Sequence, residues 1–89
     1  MMKLIIAVVH HTDGEEILRA LTEAHFSVTR IASSGGFLRR RDATLLLGVQ
    51  AGQVAAALKL IREHSAPPVD AGFKRATVFV LNVERSELI

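Results

Sequence analysis

The 89-residue chain contains no cysteine, which rules out disulfides and thiolate metal sites and fits a reducing compartment. Tryptophan and tyrosine are missing too, and the only aromatic rings of that class are four phenylalanines. Sheet-borne stacking of nucleic-acid bases, which relies on aromatic pairs along a strand, therefore has no basis here. Two prolines occur, adjacent at 67 and 68, so few points in the chain are closed to regular structure. No apolar run approaches the ~20 residues of a membrane span, and residues 4–9 are followed by no small-residue cleavage site. Charge of one sign is also scarce. Eleven Lys and Arg against nine Asp and Glu leave a formal net charge of +2. That balance favours a small anionic ligand at a local patch over a nucleic-acid track. The expectation is one cytoplasmic domain over residues 1–89, with no membrane and no nucleic-acid partner. A core this small is commonly supplemented by association.

What is present reads as strand, helix, strand, strand, helix, strand. Residues 3–9 form a continuous apolar strand. Thr12 or Asp13 can cap a helix with Glu15 and Glu16 in its first turn, where the helix end favours negative charge. Ile17, Leu18, Leu21 and Ala24 supply its buried stripe. Residues 26–31 and 44–49 carry the β-branched and apolar character of strands. A second helix spans residues 52–64, with Val54, Leu58 and Ile61 on one face, and Pro67-Pro68 stops it. Residues 75–83 form the last strand. Two β-α-β halves of this kind predict an α+β fold: a ferredoxin-like βαββαβ sandwich, with a four-stranded antiparallel sheet and two helices on one face.

The strands fail to alternate. Leu4-Ile5-Ile6-Ala7-Val8-Val9, Leu45-Leu46-Leu47 and Val78-Phe79-Val80-Leu81 are apolar on both faces, whereas a sheet with one wet face alternates apolar and polar residues. Two helices cover one face only. The other face is expected to meet a further copy of the chain, since monomers seldom expose large apolar patches.

The most informative stretch is residues 26–49, in which two strands flank a loop. Gly35-Gly36 permits positive φ and bares backbone N–H groups that suit phosphate or carboxylate. Phe37 adds a flat aromatic, and Arg39, Arg40 and Arg41 add guanidinium groups. Together they point to a nucleotide site. The same residues also describe a plain hairpin with a Gly-Gly turn, an anchoring phenylalanine and a solvated basic tip.

Residues 29–38, T-R-I-A-S-S-G-G-F-L, resemble the T-K-L-A-S-T-G-G-F-L signature of the PII-like cyclic di-AMP receptor proteins. In that family a Gly-Asn-Thr-Thr turn follows it. K-L-I-I-A-V-V at 3–9 and A-T-V-F-V-L at 76–81 are similar to the family's first and last strands. The resemblance implies a PII-like homotrimer whose sheets face a central axis. Its ligand, cyclic di-AMP or another adenine nucleotide, would lie in clefts between subunits. It implies ligand contacts at Thr29, Gly35, Gly36, Phe37, Leu38, Asp42, Gly48 and Phe79, with phosphate contacts possible at Arg39, Arg40 and Arg41. Phe37 would stack on adenine, an interaction worth ~1–3 kcal/mol per base; otherwise it staples the loop to a neighbouring subunit. Thr29 offers a hydroxyl but is also simply a good strand residue. Gly48 fits close approach of a ligand, or equally a β-bulge.

The chain departs from the family pattern at three places. Arg41-Asp42 stands where the family has Gly-Asn, which exchanges a donor-acceptor amide for an acceptor-only carboxylate. Ser27 stands where members carry an arginine. The segment at 65–74 is shorter than the usual glycine-rich connection.

Other chemistries find little support. His10 and His11 are adjacent in or after a strand, so their side chains are expected on opposite faces. His25 and His64 fall at helix ends, where imidazole favours the C-terminal carbonyls. No pair has the helix spacing of a metal site, so no metal is expected. Gly48-Val49-Gln50-Ala51-Gly52 superficially resembles the turn of ferredoxin-like acylphosphatases. It precedes the wrong helix, however, and lacks the following arginine. Ser33 and Ser34 have no evident His and acid partners. The expectation is a signalling protein without catalytic residues, acting on a downstream protein that the sequence does not identify. The alternative is a ligand-free oligomeric adaptor that binds a partner through its loops.

Overall fold

The computed structural model describes residues 1–31, 42–65, 76–87 and 89. Along them run β1 (Met2–His10), α1 (His11–Glu23), β2 (Val28–Ile31) and β3 (Asp42–Gln50). A 3₁₀ turn (Ala51–Gln53), α2 (Val54–Glu63) and β4 (Ala76–Asn82) follow. The strands form one antiparallel sheet in the order β2-β3-β1-β4, the ferredoxin-like arrangement expected from the two β-α-β halves. The central pair is long and unbroken, from Met2 opposite Gln50 to His10 opposite Asp42.

Side chains alternate across a strand, so this register fixes which residues face the helices. Ile5, Ala7 and Val9 from β1 and Ala43, Leu45, Leu47 and Val49 from β3 are buried on that side. Against them pack Ile17 and Leu21 of α1 and Ala57 and Ile61 of α2, which closes the core. Leu18, Val54 and Leu58 border it. Gly14 lets the first turn of α1 approach the sheet, since a Cβ there would meet the Ala43 Cβ at 3.4 Å.

Local chemistry at the ends of α1 differs from the sequence expectation. The cap is His10, not Thr12 or Asp13: its Nδ1 accepts from the Thr12 N–H at 3.3 Å. Because His10 closes β1 and His11 opens α1, their rings do not diverge as in a strand. They stack with centroids 4.8 Å apart. At the other end Ala24 is the C-cap and is exposed, not part of the buried stripe. His25 then takes a left-handed φ of 68°. Its N–H reaches the Thr22 carbonyl at 3.0 Å, and the Phe26 N–H reaches the Leu21 carbonyl at 2.9 Å. This is a Schellman ending, with Phe26 folded onto the core. Phe26 thus precedes β2 rather than beginning it.

The second face of the sheet carries Leu4, Ile6, Val8, Ile31, Leu46, Phe79 and Leu81. No helix lies on it among the described residues, and Phe79 is 53% and Leu81 46% exposed. The helices also leave β4 thinly covered, because Val80, on their side, is 43% exposed. The absence of alternation in the sequence thus corresponds to a sheet that is apolar on both faces.

Candidate functional site

Four of the residues that the sequence marks for a ligand lie in the described part of the chain. By strand parity Thr29, Asp42, Gly48 and Phe79 all project from the open face of the sheet. Gly35, Gly36, Phe37, Leu38, Arg39, Arg40 and Arg41 lie outside the described residues, as does nearly all of the short 65–74 connection. Ser27 is exposed just before β2.

Within one chain the four are not equally close. Thr29 pairs with Leu46, which places Gly48 at the diagonal position, on the order of 7–8 Å away. Gly48 is exposed, and a Cβ built there would meet only the Met2 Cε, at 3.9 Å. The register runs through it without interruption, Leu4 opposite Gly48 and Ile5 opposite Leu47, which removes the β-bulge explanation in the β1–β3 ladder. Its missing side chain leaves a bare stretch of backbone beside the Thr29 hydroxyl. Asp42 sits four residues along β3 from Leu46, about 13 Å away along the strand. Phe79 belongs to the same cross-strand row as Thr29 but to the opposite edge of the sheet.

β2 is anchored from behind. Arg30, next to Thr29 but turned to the helix side, donates from Nη1 to the Glu15 Oε1 at 3.1 Å. Its guanidinium lies 3.8 Å from where a Gly14 Cβ would be. The pair ties the strand to the first turn of α1, although so exposed an ion pair adds little stability on its own. Sequence reasoning also missed Thr44. It is only 6% exposed, and its hydroxyl has no hydrogen-bond partner. The only sequence signal was a lone polar residue entering an apolar run, Ala43-Thr44-Leu45-Leu46-Leu47. Among the described residues no three His, Asp or Glu side chains come together as a metal group, and no helix is long and apolar enough to cross a membrane.

The chain is thus an α+β protein of the ferredoxin-like class, with Thr29, Gly48 and Asp42 on the apolar open face of its sheet. The family model described as "Cyclic-di-AMP receptor" matches residues 2–67, and the chain belongs to that family. Among solved structures it is similar to a functionally unknown protein from Pediococcus pentosaceus ATCC 25745. The identity is 26% and the TM-score 0.78, over 99% of this chain and 97% of that one. A DUF3240 family protein from Shewanella baltica OS155 shares the fold, with a TM-score of 0.68 at 17% identity, over 99% of this chain and 96% of that one.

Proposed function

We propose that this chain is a PII-like signal-transduction protein that binds cyclic di-AMP, or a related adenine nucleotide, in clefts between the subunits of a homotrimer. One observation carries the reading. The candidate ligand residues in the described part of the chain share the open sheet face with Met2, Ile31, Phe79 and Leu81, the exposed large apolar side chains on it. A ligand held at Thr29 and Gly48 then sits at the border of that contact, where a neighbour's Phe79 can reach it. Binding and assembly share a surface, so occupancy can be relayed to a downstream protein through the loops, with no bond made or broken by the chain. Membership of the receptor family supports the nucleotide.

Calorimetry with a panel of cyclic di-AMP, ATP, ADP and AMP tests this directly. Saturable binding of an adenine nucleotide at one site per subunit is the expected result. Heats at the level of dilution for the whole panel would replace the sensor with an adaptor that works through its exposed surface alone.

A further inference from the structure

Gly48 leaves a gap in the open face of the sheet, and the residue that reaches into it is Met2. The two are diagonal neighbours across the β1–β3 ladder, since Met2 pairs with Gln50 and Gly48 with Leu4. Among the described residues the Met2 Cε is the one atom that a Cβ at Gly48 would meet, at 3.9 Å. The thioether thus lies over the backbone that the glycine bares. Its own root is held from both sides. The Ala51 N–H donates to the Met1 carbonyl at 2.8 Å, and the Val83 N–H donates to the Met2 carbonyl at 3.1 Å. The side chain beyond that root is 38% exposed, unbranched and able to turn about several bonds.

We infer that Met2 is a ligand-contact residue: it covers Gly48 in the free chain, swings aside when a planar ring settles on that backbone, and packs its sulfur against the rim of the ring. This rests on the nucleotide reading above and adds to it a residue from β1. Leu4, directly opposite Gly48, and Leu46, two residues along β3, give the gap apolar walls on the same face. Thr29 flanks it from β2, through its pairing with Leu46. A ring placed there has the Thr29 hydroxyl on one side and Met2 on the other. A thioether suits that position, because sulfur is polarizable and makes favourable contacts at the edge of an aromatic ring. A leucine at position 2 keeps the apolar area but loses the sulfur and part of the reach. The contact favours a flat ring over a sugar or a phosphate, and it reads no particular hydrogen-bonding edge.

Methyl NMR of the full chain with isotope-labelled methionine tests this beside calorimetry. The chain has two methionines, Met1 and Met2, so Met2→Leu identifies the Met2 signal. With cyclic di-AMP bound, a nuclear Overhauser contact between the Met2 methyl and the base protons is expected. Met2→Ala is expected to weaken binding about two- to tenfold, the worth of one sulfur–aromatic contact, with the oligomer and the melting temperature unchanged. Met2→Leu is expected to lose less. A bound nucleotide whose base protons show no contact with the Met2 methyl overturns the inference. So does Met2→Ala that binds as well as the wild type or more tightly, which would make Met2 a plug, or that weakens binding only by dissociating the oligomer. Each of these leaves the nucleotide reading in place. A wild type that binds no adenine nucleotide by calorimetry removes both.

Discussion

Thr29 and Phe79 stand in one cross-strand row of the sheet, Thr29–Leu46–Ile6–Phe79, at its two opposite edges. Three strand spacings separate them, about 14 Å. Both project from the open face, yet no single small contact can span them within one chain. A ligand too short to cross Leu46 and Ile6 can meet the two only on different subunits. Co-assembly tests this. Thr29→Ala and Phe79→Ala oligomers should each bind nucleotide poorly, by tenfold or more if each loses one stacking or hydrogen-bond contact. Unfolding and refolding the two together should restore up to about a quarter of the sites, those joining the intact edge of each parent. Titration of the mixture with no recovery would place the site within one chain.

The open face also makes an assembly prediction. Leu81→Lys puts a charge where the face is apolar and 46% exposed, on an edge strand outside the closed core. The expected outcome is a folded monomer with unchanged circular dichroism, against a trimer for the parent, by light scattering at micromolar concentration. A parent protein that is already monomeric at that concentration would sink the trimer and leave the apolar face without a role.

On the helix side the expectations concern stability alone. Leu21 is fully buried and its carbonyl also anchors the Schellman ending of α1. Leu21→Ala should cost roughly 2–5 kcal/mol in denaturant unfolding at fixed protein concentration. A loss below 1 kcal/mol would mean that the core beside α1 collapses around the gap. At the same ending, His25 holds φ of 68°, which glycine adopts freely and a β-branched residue does not. His25→Gly should raise stability by up to about 1 kcal/mol, and His25→Val should lower it; the reverse order would argue against a left-handed residue at this point.

Much of this architecture is legible in the sequence because it depends on local periodicity. The apolar run at 3–9, the Ile17/Leu21 stripe and the Val54/Leu58/Ile61 face each announce their element, and the lack of alternation in three strands announces the second apolar face. Register is different. That Thr29 shares a row with Leu46 and Phe79 depends on which strands pair, and no window of sequence around Thr29 contains that information. The N-cap of α1 is hidden from the sequence for a related reason. Thr12 and Asp13 are better cap residues than histidine by composition, but β1 runs to His10 and the helix begins at His11, which leaves the imidazole as the acceptor. The Thr44 hydroxyl was invisible because threonine is an ordinary strand residue until its neighbours across the ladder are known to be Val8 and Ile31.

The departures at Ser27 and Asp42 make the last prediction. An arginine at 27, on the exposed lead-in to β2, can reach a phosphate with two parallel hydrogen bonds, which the serine cannot do. An asparagine at 42 both donates and accepts at a base edge, and its introduction removes a negative charge from beside a dianionic ligand. Each hydrogen bond to a charged group is worth ~1.5–3 kcal/mol at most. Ser27→Arg with Asp42→Asn should therefore tighten cyclic di-AMP by about one to two orders of magnitude. Most of the Ser27→Arg share should disappear at high salt, since an exposed guanidinium–phosphate contact is screened within a Debye length of ~3 Å at 1 M. The Asp42→Asn share should persist in part, because its new donor contact to the base involves no charge. Titrations in which neither substitution changes the affinity would mean that the ligand does not sit between β2 and β3. The cyclic dinucleotide would then lose its place on this face, and the open sheet would remain a surface for subunit contact alone.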